Sequence, residues 1–218
     1  MSDLIIKQQT SIANVEAGGV GGGDFLPYMK ICSFNTAEVK DDLIRSGVFG
    51  LKSGDDIAEV GPEVTAFAIS ARATALDFSD KEKIKESHDP SSEEYARIRG
   101  IADLPGLNGC VYGPEFLMWT EGHGFFTMHF GSKSGRRSAG SILAAIKDGD
   151  SVRPTFLNLT MKKTKTGDNV YHVVTCDRYE GEEPQLDFDQ ERFDSEIERF
   201  VNPPARQSGD AAVEEDEG

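Results

Sequence analysis

The run Glu63 to Phe78, EVTAFAISARATALDF, limits what this chain can become more than any other stretch. Val64, Ala66, Ala68, Ser70 and Arg72 alternate with Thr65, Phe67, Ile69 and Ala71, a period of two that no helix can use. The run reads as one long, fairly central strand, so the chain must build a sheet around it.

Other strands follow by the same rule. Phe25 to Phe34 reads as a first strand, with Pro27 near its start, where a missing N–H is tolerated. A turn-rich stretch through SGVFGLKSGDD then leads into the long strand. Glu115 to Thr120 and Phe125 to Phe130 are joined by Glu121-Gly122-His123-Gly124, a turn whose glycines allow positive φ. Ala139, Ile142, Leu143 and Ile146 recur at spacings of three and four, which predicts an amphipathic helix over Ser138 to Lys147 ending at Gly149. The last hairpin sets Leu157, Leu159 and Met161 against Phe156, Asn158, Thr160 and Lys162. It turns at Lys165 to Asn169, then sets Val170, His172, Val174 and Cys176 against Tyr171, Val173 and Thr175. The predicted fold is therefore mainly β: an OB-like five-stranded barrel with one helix between strands 3 and 4.

Around that barrel, over residues 25–178, the sequence predicts four further segments. Residues 1–24 form an N-terminal arm made flexible by AGGVGGGD. Residues 79–109, charged and containing Pro90 and Pro105, form a surface insertion with a short helix over Ser92 to Arg99, to which no chemistry is assigned. Residues 179–201 hold a C-terminal helix with Phe193, Ile197, Phe200 and Val201 at helical spacings, and residues 202–218 a disordered acidic tail. With 218 residues, 38% of them apolar, the chain can bury one sizeable core. It has no apolar run long enough for a membrane helix, its MSDLIIKQQT stretch lacks a basic start followed by an apolar run, and its three cysteines are scattered without a CxxC pair. A reduced, cytoplasmic setting is expected, the host cytoplasm if the protein is viral, with no membrane partner.

The formal net charge is −15, but it is unevenly spread. Glu180 to Gly218 carries 14 acidic residues against three arginines. His129 to Arg178 carries nine basic residues against four acidic ones. A basic stretch followed by an acidic one points to polyanion binding or to an interaction tail. Binding a single nucleic-acid strand requires cations to follow the phosphates and flat rings on which bases stack. Lys133, Arg136, Arg137, Arg153, Lys162, Lys163 and Lys165 supply the first, with Trp119, Phe125 and Tyr171 as candidate stacking residues. GSKSGRR, Gly131 to Arg137, adds backbone N–H groups at a helix start, suited to a phosphate.

This combination of barrel order, aromatic and basic hairpin and acidic terminus resembles bacteriophage-type single-stranded DNA-binding proteins of DNA replication and recombination. The resemblance implies single-stranded DNA as partner, bound without strong sequence preference. It also implies an acidic tail that masks the groove or recruits replication proteins, here through Glu214, Glu215, Asp216 and Glu217. A homodimer is compatible with it. The alternative is a virion or assembly protein with no nucleic-acid binding.

Enzymatic chemistry finds less support. His172 and Cys176 share a strand face but stand about 13 Å apart at strand rise. His123 and His129 have no third ligand in view, Glu115 and Glu121 have no fixed separation, and no GxSxG, HExxH or Walker pattern occurs. The expectation is therefore no enzyme, no cofactor and no metal.

Overall fold

The computed structural model describes residues 6–7, 26–34, 36–54, 56–80, 84–104, 109–148, 151–167 and 169–203. Apart from Ile6, Lys7, Asn202 and Pro203, the expected arm and acidic tail lie outside the described residues, as do Glu214, Glu215, Asp216 and Glu217. In chain order the elements are β1 (Ile6–Lys7), β2 (Tyr28–Cys32), α1 (Ala37–Lys40), β3 (Val48–Ser53), β4 (Asp56–Gly61), β5 (Glu63–Asp77), β6 (Lys85–Ser87), α2 (Glu93–Ala102), β7 (Cys110–Thr120), β8 (Gly124–His129), α3 (Lys133–Ile146), β9 (Lys147–Asp148), β10 (Ser151–Val152), β11 (Thr155–Thr166), β12 (Asn169–Arg178) and α4 (Gln190–Val201).

The fold is mainly β. One nine-stranded sheet runs β12-β11-β5-β7-β8-β2-β3-β4, with β6 continuing the β11 edge along the end of β5. All its pairings are antiparallel except β2 with β8, which meet in parallel at Tyr28 and Thr127. A five-stranded barrel was expected; the sheet is larger and open, and it curls until β12 approaches β2. The difference arises in the turn-rich stretch after the first strand, which folds as the β3–β4 hairpin, and in the segment after β5, which adds β6. Three short strands, β1, β10 and β9, form a separate small sheet.

Both faces of the main sheet are covered. Val64, Ala66, Phe116, Met118, Leu157 and Leu159 face the larger core, closed by Ala139, Ile142 and Ile146 of α3. Helix α3 begins a turn earlier than its apolar pattern shows, because Ser132 caps it by accepting the N–H of Gly135. Phe67, Leu117, Trp119, Phe125 and Phe156 face the other way, onto Phe188 and onto Phe193 and Phe200 of α4. Residues 79–109, expected to lie on the surface, contribute buried groups: Tyr95 and Ile98 of α2 pack with Ala75 and Cys110.

One irregularity redirects the long strand. The β5–β7 register passes from Ala68 opposite Met118 to Ser70 opposite Leu117, so Ile69 is the extra residue of a β-bulge. Beyond the bulge the faces exchange. Simple alternation places Arg72 with Val64; instead Ala71 joins the Val64 core and Arg72 turns to α4, its guanidinium 4.5 Å from the Phe200 ring centroid.

Candidate nucleic-acid interface

Alternation in the β11–β12 hairpin decides which lysines act together. Lys163 and Lys165 project on one face, opposite His172 and Val170; Lys162 projects on the other, opposite Val173. All three lysines are exposed. Tyr171 pairs with Thr164 and so shares the face of Lys162; it is partly buried.

Curling of the sheet brings a partner to the Lys163 face from far away in sequence. Phe34, just past β2, lies 5.1 Å from the His172 ring, tilted by 35°, and 45% of its surface remains exposed. The Lys163 Nζ stands 5.7 Å from the Phe34 centroid. An apolar ring this exposed, beside a cation and an imidazole, is a ready platform for a flat ligand. The back of His172 is fixed by Gly47, whose φ of +87° and absent side chain admit the imidazole; a Cβ there would lie 2.9 Å from Nε2. Partial burial, then the charge of Lys163, hold the His172 pKa below the ordinary imidazole value. Phe34 was missed in the sequence because the strand pattern before it counted it as one more strand residue.

The other candidate cations lie elsewhere. Thr160 pairs with Glu63 at the start of β5, whereas Tyr112 pairs with Ala75 near its end. Lys162, Lys163 and Lys165 therefore sit about 40 Å along the strand from Arg136, which packs 4.0 Å from the Tyr112 ring centroid. The two basic sets lie toward opposite ends of β5. Around Arg136 there is a cavity of about 570 Å³ lined by Asp103, Cys110, Tyr112, Gly131, Lys133 and Arg136. Arg136 is committed there: it pairs with Asp103 at 3.1 Å and donates to the carbonyls of Tyr112 and Gly131. Lys133 and Arg137 are exposed on the first turns of α3, and Arg153 is exposed just before β11.

Trp119 and Phe125, expected to stack on bases, have no free face. Trp119 is 1% exposed, donates its Nε1–H to Asp187 at 3.0 Å and meets Phe188 edge-on. Phe125 is 4% exposed, under Phe188 and the guanidinium of Arg192. The cause is the segment after β12, which lays an acidic but aromatic strap across that sheet face.

A second polar cluster is buried between β5, β6, β7 and α4. Arg72 Nε and Nη2 both lie 2.8 Å from Glu115 Oε2, and Arg72 also donates to the Phe200 carbonyl. Thr74 Oγ1 donates to the same Glu115 oxygen at 3.0 Å and stands 3.0 Å from His88 Nδ1. His88 Nε2 lies 2.9 Å from Glu86 Oε1. Burial pushes the Glu115 carboxyl up, but Arg72 together with His129 and His88 outweighs it, and the pKa ends below the usual carboxylate value. His129, opposite Glu115 on β8, is pulled down by burial against the opposing charge of Glu115. The sequence sets Glu115 beside Glu121 and His129 beside His123; the alternation of Glu86 and His88 in KESH is the signal it offers for the cluster.

Among the described residues no helix is long and apolar enough to cross a membrane. Set against protein-family models, curated proteins and solved structures, the chain matches none of them.

Proposed function

We propose that the protein binds a single nucleic-acid strand without strong sequence preference, on the face of the β11–β12 hairpin that carries Lys163 and Lys165. The observation that carries this reading is the exposed ring of Phe34 held between His172 and Lys163. Phe34 supplies the stacking surface, and Lys163 and Lys165 supply phosphate contacts. Lys162 and Tyr171 extend the contact around the hairpin edge, while Lys133, Arg137 and Arg153 are secondary positions that a longer strand reaches. The acidic residues at the C-terminus compete for the same cations, so binding is weakened by the chain's own end and by salt.

Fluorescence anisotropy of a labelled poly-thymidine oligonucleotide tests it, with the full chain and with a chain ending at Gln207. Phe34→Ala should weaken binding by about 5- to 150-fold, the loss of one stacked base. Replacing Lys162, Lys163 and Lys165 together with Ala should lower the slope of log affinity against log salt by up to about 2. Binding that ignores Phe34 and an unchanged salt slope would sink the assignment. No binding by either chain, together with a concentration-dependent oligomer, would favour an assembly role.

A further inference from the structure

With His88 as the neutral imidazole, the buried cluster beside α4 has a proton count that does not close. Thr74 has a single hydroxyl proton, and it goes to the carboxylate of Glu115. The oxygen of Thr74 must then accept, so the proton it shares with His88 is the one on Nδ1. That assignment leaves the lone pair on Nε2. Yet Nε2 faces Glu86 Oε1 at 2.9 Å, outside hydrogen-bond geometry, and finds no hydrogen-bond partner among the described residues. Two acceptors are pressed together in a site where His88 is 2% exposed and the side chains of Glu86 and Glu115 are 10% and 11% exposed.

Facing lone pairs in a nearly dry, anionic site are what a cation removes. One ligand atom from each of Glu86, His88 and Glu115 lies within 4.8 Å of the other two. We infer that Glu86, His88 and Glu115 form a binding site for a divalent first-row metal ion of the zinc or manganese class. One imidazole nitrogen with two carboxylate oxygens suits those ions better than calcium or magnesium, which prefer oxygen alone. Thr74 is the outer support, since its hydroxyl holds both the His88 tautomer and Glu115, the role that hydrogen-bonded partners play around metal ligands. Arg72, anchored by the Phe200 carbonyl and ring, stays paired with Glu115 Oε2 and balances that carboxylate's charge. The site stands apart from the hairpin and is independent of the nucleic-acid reading.

The test uses the full chain dialysed against chelator, then equilibrated with ZnCl₂ or MnCl₂, with MgCl₂ as the comparison. Bound metal per chain is read by elemental analysis, and the melting temperature is read in parallel. The expected result is one tightly held zinc or manganese per chain with a raised melting temperature. Affinity should fall at least about 100-fold in Glu86→Gln and in His88→Asn, and stay unchanged in His123→Ala. Glu86→Gln keeps shape and volume, so circular dichroism can confirm that it is folded even if His88→Asn is not. Stoichiometric uptake that survives Glu86→Gln would overturn the site. So would a wild-type chain that takes up no metal, in which case a shared proton bridges His88 and Glu86.

Discussion

Replacing Arg72 with Met removes a charge and keeps most of the apolar stem, so it isolates what the guanidinium does. The side chain is 9% exposed and makes two 2.8 Å contacts to Glu115 Oε2, a carboxylate buried to a similar degree. Removing one partner of such a pair strands the other in a low-dielectric site and costs about 3–5 kcal/mol. The lost contact with the Phe200 ring lies within that range rather than on top of it. Against a total stability of about 5–15 kcal/mol, a loss near 4 is large, and it lowers the melting temperature by about 8–16 °C. The pH dependence gives a sharper check. In the wild type the folded Glu115 pKa lies below its unfolded value, so its contribution is present above the unfolded pKa and is lost as pH falls through the folded one. Without Arg72, burial dominates and the folded value rises above the unfolded one, which reverses the sign. The gap between variant and wild type should therefore be widest near neutrality and close as the pH approaches 4. Urea denaturation in chelator, followed by the fluorescence of the single tryptophan, Trp119, reads both. A loss under about 1 kcal/mol at pH 7, or one that does not shrink in acid, would refute the picture of a buried, mutually dependent pair.

Other expectations rest on separate parts of the fold. Gly113→Ala would place a Cβ 2.2 Å from the backbone oxygen of Phe130, and since backbone cannot swing aside, a loss of about 3 kcal/mol or more is expected in the urea midpoint. Lys30→Met should cost about 2 kcal/mol at pH 7, because Lys30 lies 2.6 Å from Glu38; burial raises that carboxyl, the lysine's hydrogen bond and charge lower it, and the balance is below the ordinary value. With the folded value depressed, that contribution is lost as pH falls through it, so the variant's acid transition should be shallower than the wild type's. Cys32 is fully buried and its thiol is pushed up to about 11 by burial, so iodoacetamide at pH 8 should leave it unmodified until the chain is unfolded.

Much of the fold was legible from periodicity alone, because period and burial are coupled wherever an element packs against a single layer. Val64 to Ile69 split into two faces as their alternation requires, and Ala139, Ile142 and Ile146 mark the buried stripe of α3. The turn glycines Gly122 and Gly124 take φ of 80° and 72°, and the last hairpin pairs Leu159 with Cys176 in the register its pattern implies. The β3–β4 hairpin was hidden because VFGLKSGDDIAEVG mixes strand residues with turn residues, and local propensity cannot say which of the two prevails.

The candidate sites lie on the other side of that divide. Amino-acid types determined that the chain could hold a strand with lysines and rings, and charge counting located the basic stretch between His129 and Arg178. Only the tertiary structure decided that Trp119 and Phe125 are roofed by Phe188, that Phe34 meets His172 across the curl of the sheet, and that Lys133 and Lys163 belong to opposite ends of β5. The same holds for the buried cluster. A one-residue bulge at Ile69 turns Arg72 from one face of the sheet to the other, where Glu115, 43 positions along the chain, is waiting. A sequence records spacing along the chain, and side-chain chemistry depends on spacing through space. The two coincide within a strand or a helix turn and separate wherever a bulge, a curl or a returning segment intervenes.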